Sequence, residues 1–334
     1  MLKTKVTVLG AGSWGTALSQ VLAENGHEVL LWTLSEDDAH EINNEHTNKN
    51  YLPEVILPQT IKATTNLSEA VKFSDALVIV IPTQGIRSLA HELNELIAEP
   101  KLIIHASKGL EQGTHKRIST ILSEEIISDK RKAIVALSGP SHAEEVAVHD
   151  LTSITAASSD MEAAEYVQEL FMNDYFRVYT NNDIIGVELG AAIKNIIALG
   201  AGMLVGLGYG DNAMAALVTR GLVEIKRLGK ALGADTTTFD GLSGVGDLIV
   251  TCKSPYSRNW QAGKAIGEGA DVAGAEHSIH QTVEGLSTVK AAYELAQIEQ
   301  IEMPITEAIY AVTVKQVPIK EAILKLMRRE GKEE

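Results

Sequence analysis

The N-terminal half of the chain alternates short runs of Val, Ile and Leu with stretches of helical periodicity. Lys5–Leu9 and Glu28–Trp32 read as strands, with a helix between them over residues 14–25 that stops at Gly26. Residues 76–81, ALVIVI, show no polar alternation, the pattern of a strand covered on both faces. Residues 102–106 and 133–137 read the same way, and Thr152–Ala157 and residues 176–179 read as closing strands around a helix at 161–172. Further helices fall at about 84–97 and 115–127. Strand–helix alternation of this kind implies parallel crossovers and a Rossmann-like, doubly wound, mainly parallel sheet.

After about residue 182 the strand pattern nearly vanishes. Helical periodicity with small-residue faces takes over at 212–232, ended by Gly233, and again at 260–267, 286–299 and 319–328. The expected organisation is an α/β domain over 1–182 followed by an all-α domain over 183–334, with a polar tail, GKEE, expected to fray.

One segment at the start of the second half breaks its own pattern. GVELGAAIKNIIALGAGM, residues 186–203, is almost wholly apolar or glycine, yet it carries Glu188, Lys194 and Asn195. Those residues and the many glycines argue against a membrane span. A lysine rarely goes inside without a partner, and desolvation there lowers its pKa. Pairing with Glu188, or reaching out from a helix end, would explain it structurally; proton chemistry would explain it functionally.

Composition narrows the partners. The 334 residues carry a formal charge of -15 and a pI of about 5.2, so nucleic acid and anionic membrane surfaces are poor partners for the molecule as a whole. A single cysteine, Cys252, allows no internal disulfide and suits a reducing cytoplasm. It lies in the apolar run LIVTC and reads as a small buried hydrophobe. The opening MLKTKVTVLGAG lacks the longer apolar region and cleavage site of a signal peptide. The ten histidines show no metal-ligand spacing.

The first chemical motif is VTVLGAGSWGTALSQ. Gly10, Gly12 and Gly15 have G-x-G-x-x-G spacing after a strand and at the start of a helix, the context of a dinucleotide site. Gly10 makes the tight turn, Gly12 lets backbone approach the pyrophosphate, and Gly15 permits close helix–strand packing. The helix N-terminus adds free N–H groups and partial positive charge. At the end of the second strand stands Trp32-Thr33-Leu34-Ser35-Glu36-Asp37, with neither the acid that favours NAD nor the arginine that favours NADP at the strand end. The choice between NAD(H) and NADP(H) stays open at this point.

Three more stretches carry polar groups to strand ends or helix starts. HASKGLE places Lys108 just past a strand, LSGPSHAEEV places Gly139, Pro140 and Ser141 at another, and SRN places Ser257 as an N-cap with Arg258 and Asn259 in the first helical turn. His142 reads as a polar lining residue or local cap, and Glu144 and Glu145 as complements to a helix dipole.

With GAGSWGTAL, ASKGLE, SGPSHAEE, GVELGAAIKNIIALGAGM, GVGDLIVTC, SRN, TVEG and EMPITEAIY in order, the chain from Val6 to about residue 328 resembles the bacterial-type glycerol-3-phosphate dehydrogenases that use NAD or NADP. It departs from that family at Leu34, where Arg or His is common, at Thr282, where valine is common, and at Ser141, where some members carry threonine.

The resemblance implies an oxidoreductase that interconverts dihydroxyacetone phosphate and sn-glycerol 3-phosphate, supplying the latter for phospholipid biosynthesis. It implies Gly10, Gly12, Ser13, Trp14 and Gly15 as cofactor contacts, with Ala143, Glu284 and Thr282 nearer the nicotinamide. It implies Lys108, Gly139 and Ser141 as substrate contacts, Lys108 also reaching cofactor, and a catalytic set of Lys194, the proton-transfer residue, with Asp247, Asn195 and Lys108, of which Lys194 and Asp247 would also touch substrate. Ser257, Arg258 and Asn259 would hold the phosphate, Arg258 also touching cofactor. A cytoplasmic homodimer is the family expectation, with no metal, nucleic acid or integral membrane involved. A lysine at its reference pKa of about 10.4 is a poor proton acceptor near neutrality, so burial is expected to tune it downward. Other Rossmann/helical dehydrogenases, of the 6-phosphogluconate or β-hydroxyacid type, share this layout, and a non-catalytic NAD(H) redox sensor is a reading from a different class.

Overall fold

The computed structural model describes residues 3–279, 282–331 and 333. Its elements run β1 Lys5–Leu9, α1 Ser13–Glu24, β2 Glu28–Trp32, α2 Glu36–Asn44, β3 Ile61–Thr64, α3 Leu67–Phe73, β4 Ala76–Ile79, α4 Ile86–Leu96, β5 Lys101–His105, α5 Ile118–Glu125, β6 Arg131–Ser138, α6 Ala143–Ala147, β7 Thr152–Ala157, α7 Met161–Phe171 and β8 Phe176–Asn181. Helices follow: α8 Ile184–Gly206, α9 Asp211–Ala231, α10 Asp247–Lys253, α11 Arg258–Gly267, α12 Val272–Ile279, α13 Glu284–Ile298, α14 Pro304–Thr313 and α15 Ile319–Met327.

The eight strands form one sheet in the order β3-β2-β1-β4-β5-β6-β7-β8. Every pairing is parallel except β6–β7. Residues of β1 and β4 point alternately to two cores: Val6, Val8 and Val78 join one, Leu9, Leu77 and Ile79 the other. Burial of both faces is why these strands carry no polar alternation. The α/β sheet followed by helices is thus the architecture expected from the sequence.

Several boundaries differ from the sequence reading. β3 and α3 escape it because β3 has four residues, IKAT, of which only Ile61 is fully buried; α2 escapes it too. β4 ends at Ile79, two residues before the apolar run does, as the chain turns toward Pro82. The helix read at 84–97 opens as a tight turn over Thr83–Gly85 and becomes α-helical at Ile86. The helix read at 115–127 starts only at Ile118: His115 holds a φ of 60°, and Leu110 pairs with Arg117 in an isolated bridge. The helices read from 260 and 286 begin two residues earlier, at Arg258 and Glu284. The tail expected to fray includes Lys332 and Glu334, which lie outside the described residues.

The chain divides into two compact units. One comprises the residues up to Lys108 together with Ile118–Val187; the other comprises Gly109–Arg117 and the chain from Glu188 onward. Residues 109–117 therefore pack with the helices.

Within the helical unit α8 is the spine. It is long and apolar enough to cross a membrane by composition, yet most of it is buried in the protein. Its glycines let α11 approach backbone to backbone. A Cβ on Gly202 would lie 2.0 Å from the Trp260 carbonyl oxygen, and one on Gly263 2.0 Å from that of Leu199. The small-residue composition of the segment is the condition for this contact, which sets α11 against the lysine-bearing helix. Elsewhere in the unit, Glu224 of α9 is buried and accepts hydrogen bonds from the backbone N–H groups of Ile305 and Thr306 and from the Thr306 hydroxyl, capping α14.

Candidate functional site

In the sheet unit, β1, β4, β5 and β6 are neighbours and parallel, so their carboxyl ends share one edge. The strand order reverses between β1 and β4, the switch point where ligands bind in sheets of this kind. Gly10 has a φ of 122°, and a Cβ there would lie 2.4 Å from the Val80 carbonyl oxygen. On Gly15 a Cβ would lie 1.9 Å from the Gly10 oxygen. These two glycines are required by the protein's own packing. Gly12 is different: a Cβ there meets no atom within 4 Å. The loop opens outward at that position, leaving room for a ligand to approach the backbone.

Gly12 is also the N-cap of α1 and offers no side chain to cap it, and the first turn of α1 carries no acid. The amides at this helix start are thus turned toward an anion's position without a built-in carboxylate. A pyrophosphate fits this loop by shape and by charge. Ser13 donates its hydroxyl to the Tyr51 carbonyl at 3.0 Å, and half-buried Trp14 lies 6.4 Å from the Phe176 ring. Asn48, fully buried, donates from Nδ2 to the Ala11 carbonyl and to Thr16 Oγ1, both at 2.8 Å. Asn48 fixes the loop from behind. The sequence reading missed it, and nothing in the surrounding NEHTNKN pattern marks it.

Along the same edge the polar groups form a connected rim. Ser107 donates to the Ile81 carbonyl at 2.6 Å, Thr83 to that of Lys108 at 3.3 Å, and Lys108 Nζ to that of Gly139 at 3.4 Å. Gly139 has a φ of 152° and packs on Ile154, while Ser141 donates back to the Gly139 carbonyl at 3.0 Å. The structure thus brings Lys108, Gly139 and Ser141 together. Ala143 is buried at the first position of α6. His142 holds the N-cap position there, but its ring does not cap the helix. Glu144 and Glu145 lie in the first turn of α6, and burial, with Asp150 and Glu144 nearby, raises the Glu145 pKa.

The helical unit answers the question raised by Lys194. Glu188 is committed to Arg117. Lys194, 4% exposed, donates instead to Asp247 Oδ1 and, at 2.7 Å, to Thr251 Oγ1. Asp247 is 1% exposed at the start of α10, and Thr251 lies one turn on, donating to the Asp247 carbonyl at 2.6 Å. The sequence reading found Asp247 and missed Thr251, although a polar residue four positions after an acid, inside LIVTC, was a legible signal. Cys252 is buried beside this pair, and burial pushes its thiol up to about 12, so it stays protonated and unreactive.

Ser257 caps α11 by accepting from the Trp260 N–H at 3.3 Å. Exposed Arg258 is the first residue of that helix. Asn259 is buried, and its Oδ1 accepts from the Gly285 N–H at 2.8 Å, tying the start of α13 to α11. A Cβ on Gly285 would lie 2.7 Å from the Asn195 carbonyl oxygen, so Asn195, Asn259 and the N-terminus of α13, with Glu284 at its first position, are packed together. Thr282 is half-buried just before α13. Among the described residues no group of three or more His, Cys, Asp or Glu side chains is placed to hold a metal.

Comparison with known proteins agrees across both units. Residues 5–164 match the model for the N-terminus of NAD-dependent glycerol-3-phosphate dehydrogenase, and residues 183–324 match that for its C-terminus. The glycerol-3-phosphate dehydrogenase [NAD(P)+] of Enterococcus faecalis is 61% identical over 333 residues, covering 100% of this chain and 98% of that protein. The enzyme of that name from Lactiplantibacillus plantarum is 59% identical, covering 99% and 98%. The crystal structure of glycerol-3-phosphate dehydrogenase from Coxiella burnetii superposes with a TM-score of 0.93 at 37% identity, covering 98% of this chain and 99% of that one. By both of its halves, the chain belongs to the NAD-dependent glycerol-3-phosphate dehydrogenase family.

Proposed function

We propose that this chain interconverts dihydroxyacetone phosphate and sn-glycerol 3-phosphate with NAD(H) or NADP(H), and that Lys194 is its proton-transfer residue. The observation that carries the assignment of roles is the Lys194 ammonium, buried and hydrogen-bonded to Asp247 and Thr251. The dinucleotide, when bound, supplies or accepts the hydride. Gly10, Gly12 and Gly15, with the amides opening α1, would hold its pyrophosphate. Ser13 and Trp14 flank that loop, and Ala143, Thr282, Glu284 and Lys108 are the further cofactor contacts in this reading.

As the ketone is reduced, negative charge grows on its oxygen. A cation aimed at that oxygen is worth more in the transition state than in the ground state, so Lys194 lowers the barrier as well as delivering the proton. In the oxidative direction it takes the proton back. Asp247 and Thr251 hold the ammonium in one orientation, and Asn195 follows it on α8. Arg258 and the Ser257-capped start of α11, with Asn259 fixing α13, form the phosphate site. Lys108, Gly139 and Ser141 are the remaining substrate contacts. In domain terms, residues 1–182 are the dinucleotide-binding Rossmann domain and 183–334 the helical substrate and catalytic domain of this reading, although single contacts to each ligand come from both. A cytoplasmic homodimer that engages neither nucleic acid nor membrane suits the net charge of -15 and the single cysteine. Its place is to supply glycerol 3-phosphate for phospholipid synthesis.

The test is consumption of NADH and of NADPH with dihydroxyacetone phosphate, run beside non-phosphorylated dihydroxyacetone, 6-phosphogluconate and 3-hydroxyisobutyrate. Turnover confined to the triose phosphate pair is expected. Equal reduction of dihydroxyacetone would remove the phosphate site from the reading, and binding of nucleotide without any turnover would favour a redox sensor.

A further inference from the structure

Residues 109–117 form a strap that leaves the sheet unit after Lys108, packs with the helices, and rejoins the sheet unit at Ile118. Gly109 has a φ of 149°, a backbone that favours glycine, and it turns the chain directly after Lys108. Leu110, buried, follows at once and forms an isolated antiparallel bridge with Arg117. Inside that bridge the Glu111 N–H donates to the Lys116 carbonyl at 3.0 Å, and the His115 N–H to the Glu111 carbonyl at 2.9 Å. The strap is therefore a closed loop with its own hydrogen bonds. Only Gly109 separates Lys108 from the bridge, and buried Ile118 opens α5 directly after Arg117. Consecutive Cα atoms keep a fixed spacing of about 3.8 Å, so the ends have no slack and a shift of the bridge is carried into the Lys108 backbone.

Two side chains fasten the strap. Arg117 is ion-paired with Glu188 of α8, whose side chain is 4% exposed. His115 holds a φ of 60°, uncommon for a residue with a side chain, and its Nε2 donates to Glu294 Oε2 of α13 at 2.9 Å. Glu188 stands on the helix that carries Lys194, six positions before it. Desolvation offsets much of the attraction in a buried pair such as Arg117–Glu188, so net stability is a weak reason for it. A single fixed geometry is the other thing such a pair supplies.

We propose, on the reading of Lys108 as a substrate contact, that Arg117 and His115 are positioning residues: by fastening the strap to Glu188 and Glu294 they hold Lys108 where it meets the substrate. They act through Lys108, by way of the Leu110–Arg117 bridge and Gly109. A displacement of about 1 Å can cost on the order of 10²-fold in rate, so release of the strap lowers kcat/KM for dihydroxyacetone phosphate by about tenfold to a hundredfold.

The test is a kinetic cycle on the full chain, following oxidation of NADH and of NADPH with dihydroxyacetone phosphate. Arg117→Met combined with Glu188→Gln removes the pair without stranding a charge on α8. Its effect is measured in wild type and in Lys108→Met, with enzyme at about 10 μM so that losses of up to about 10⁴ stay readable. The expected loss is about tenfold to a hundredfold in wild type and less than about threefold once Lys108 is gone, because residues that act through one another are not additive. Damage unrelated to Lys108 would multiply with its loss instead. Far-ultraviolet dichroism and denaturant midpoints establish that each variant is folded. Should the paired change prevent folding, His115→Gln, whose partner Glu294 is 36% exposed, takes its place in the same cycle. An unchanged kcat/KM with only a lowered midpoint overturns the proposal and leaves the pair a structural staple. An equal loss with and without Lys108 overturns it too. Wild-type kinetics in Lys108→Met is a different result: it removes the role of Lys108 itself, and that of the strap with it.

Discussion

Replacing Lys194 with Met tests chemistry and packing together. The ammonium sits on α8 with its side chain 6% exposed, and its partner Asp247 is 1% exposed. Deleting one member of such a pair leaves the other charge without its counter-ion in a site that water scarcely reaches. The expected cost is about 3–5 kcal/mol of stability, far more than the loss of a surface ion pair. Asp247→Asn alone should also destabilise. Lys194→Met combined with Asp247→Asn should recover part of the loss, a coupling of about 1–3 kcal/mol, because neither charge is then stranded. Activity should not recover with stability. Each variant that lacks the lysine should lose roughly 10²–10⁴ in kcat. Denaturant midpoints of the four proteins give the stability cycle, and nucleotide oxidation with dihydroxyacetone phosphate gives the activity. Strict additivity of the single changes would refute the buried pair, and wild-type turnover by Lys194→Met would refute its role in proton transfer.

Three further outcomes separate local causes. Gly15→Ala, whose Cβ would lie 1.9 Å from a backbone oxygen, should destabilise by several kcal/mol, whereas Gly12→Ala, whose Cβ meets no protein atom, should melt near wild type and lose nucleotide affinity in calorimetry. Arg258→Ala should raise KM for the phosphorylated ketone by about tenfold to a hundredfold while leaving reduction of dihydroxyacetone unchanged, as separate kinetic runs would show. Burial pushes the Glu224 carboxyl above the usual carboxylate range despite the hydrogen bonds from Ile305 and Thr306. A pKa raised in the folded state contributes stability that is fully present below the unfolded value, near 4.5, and is lost as pH rises through the folded value. Wild type should therefore lose ground to Glu224→Gln as pH climbs through that window, read as denaturant midpoints at stepped pH.

The residues that act through backbone pattern were legible along the chain. G-x-G-x-x-G after an apolar run and before a helix announces a strand–turn–helix with an anion site, because only glycine meets its close approaches. Unbroken apolar strands announce a sheet covered on both faces, and Ser257 before Arg258 and Asn259 announces a capped helix start. The lysine in GVELGAAIKNIIALGAGM announced that something unusual is buried. These signals are local, and local chemistry decides them.

Distance in the chain hid the rest. Lys194 had two carboxylates in view, Glu188 six positions away on the same helix and Asp247 53 positions on; the fold gives Glu188 to Arg117 and Asp247 to the lysine. Asn48 clamps the Ala11 carbonyl from 37 positions away, and nothing around it in the sequence foretells that. Strand β3 and the boundary of residues 109–117 depend on neighbours that supply their hydrogen bonds and burial, not on their own periodicity. Which groups share an edge, which hydroxyls are already engaged and which acids stay exposed are properties of packing in three dimensions. A side chain's partner is set by what folding brings within about 3 Å, and chain order alone does not carry that information.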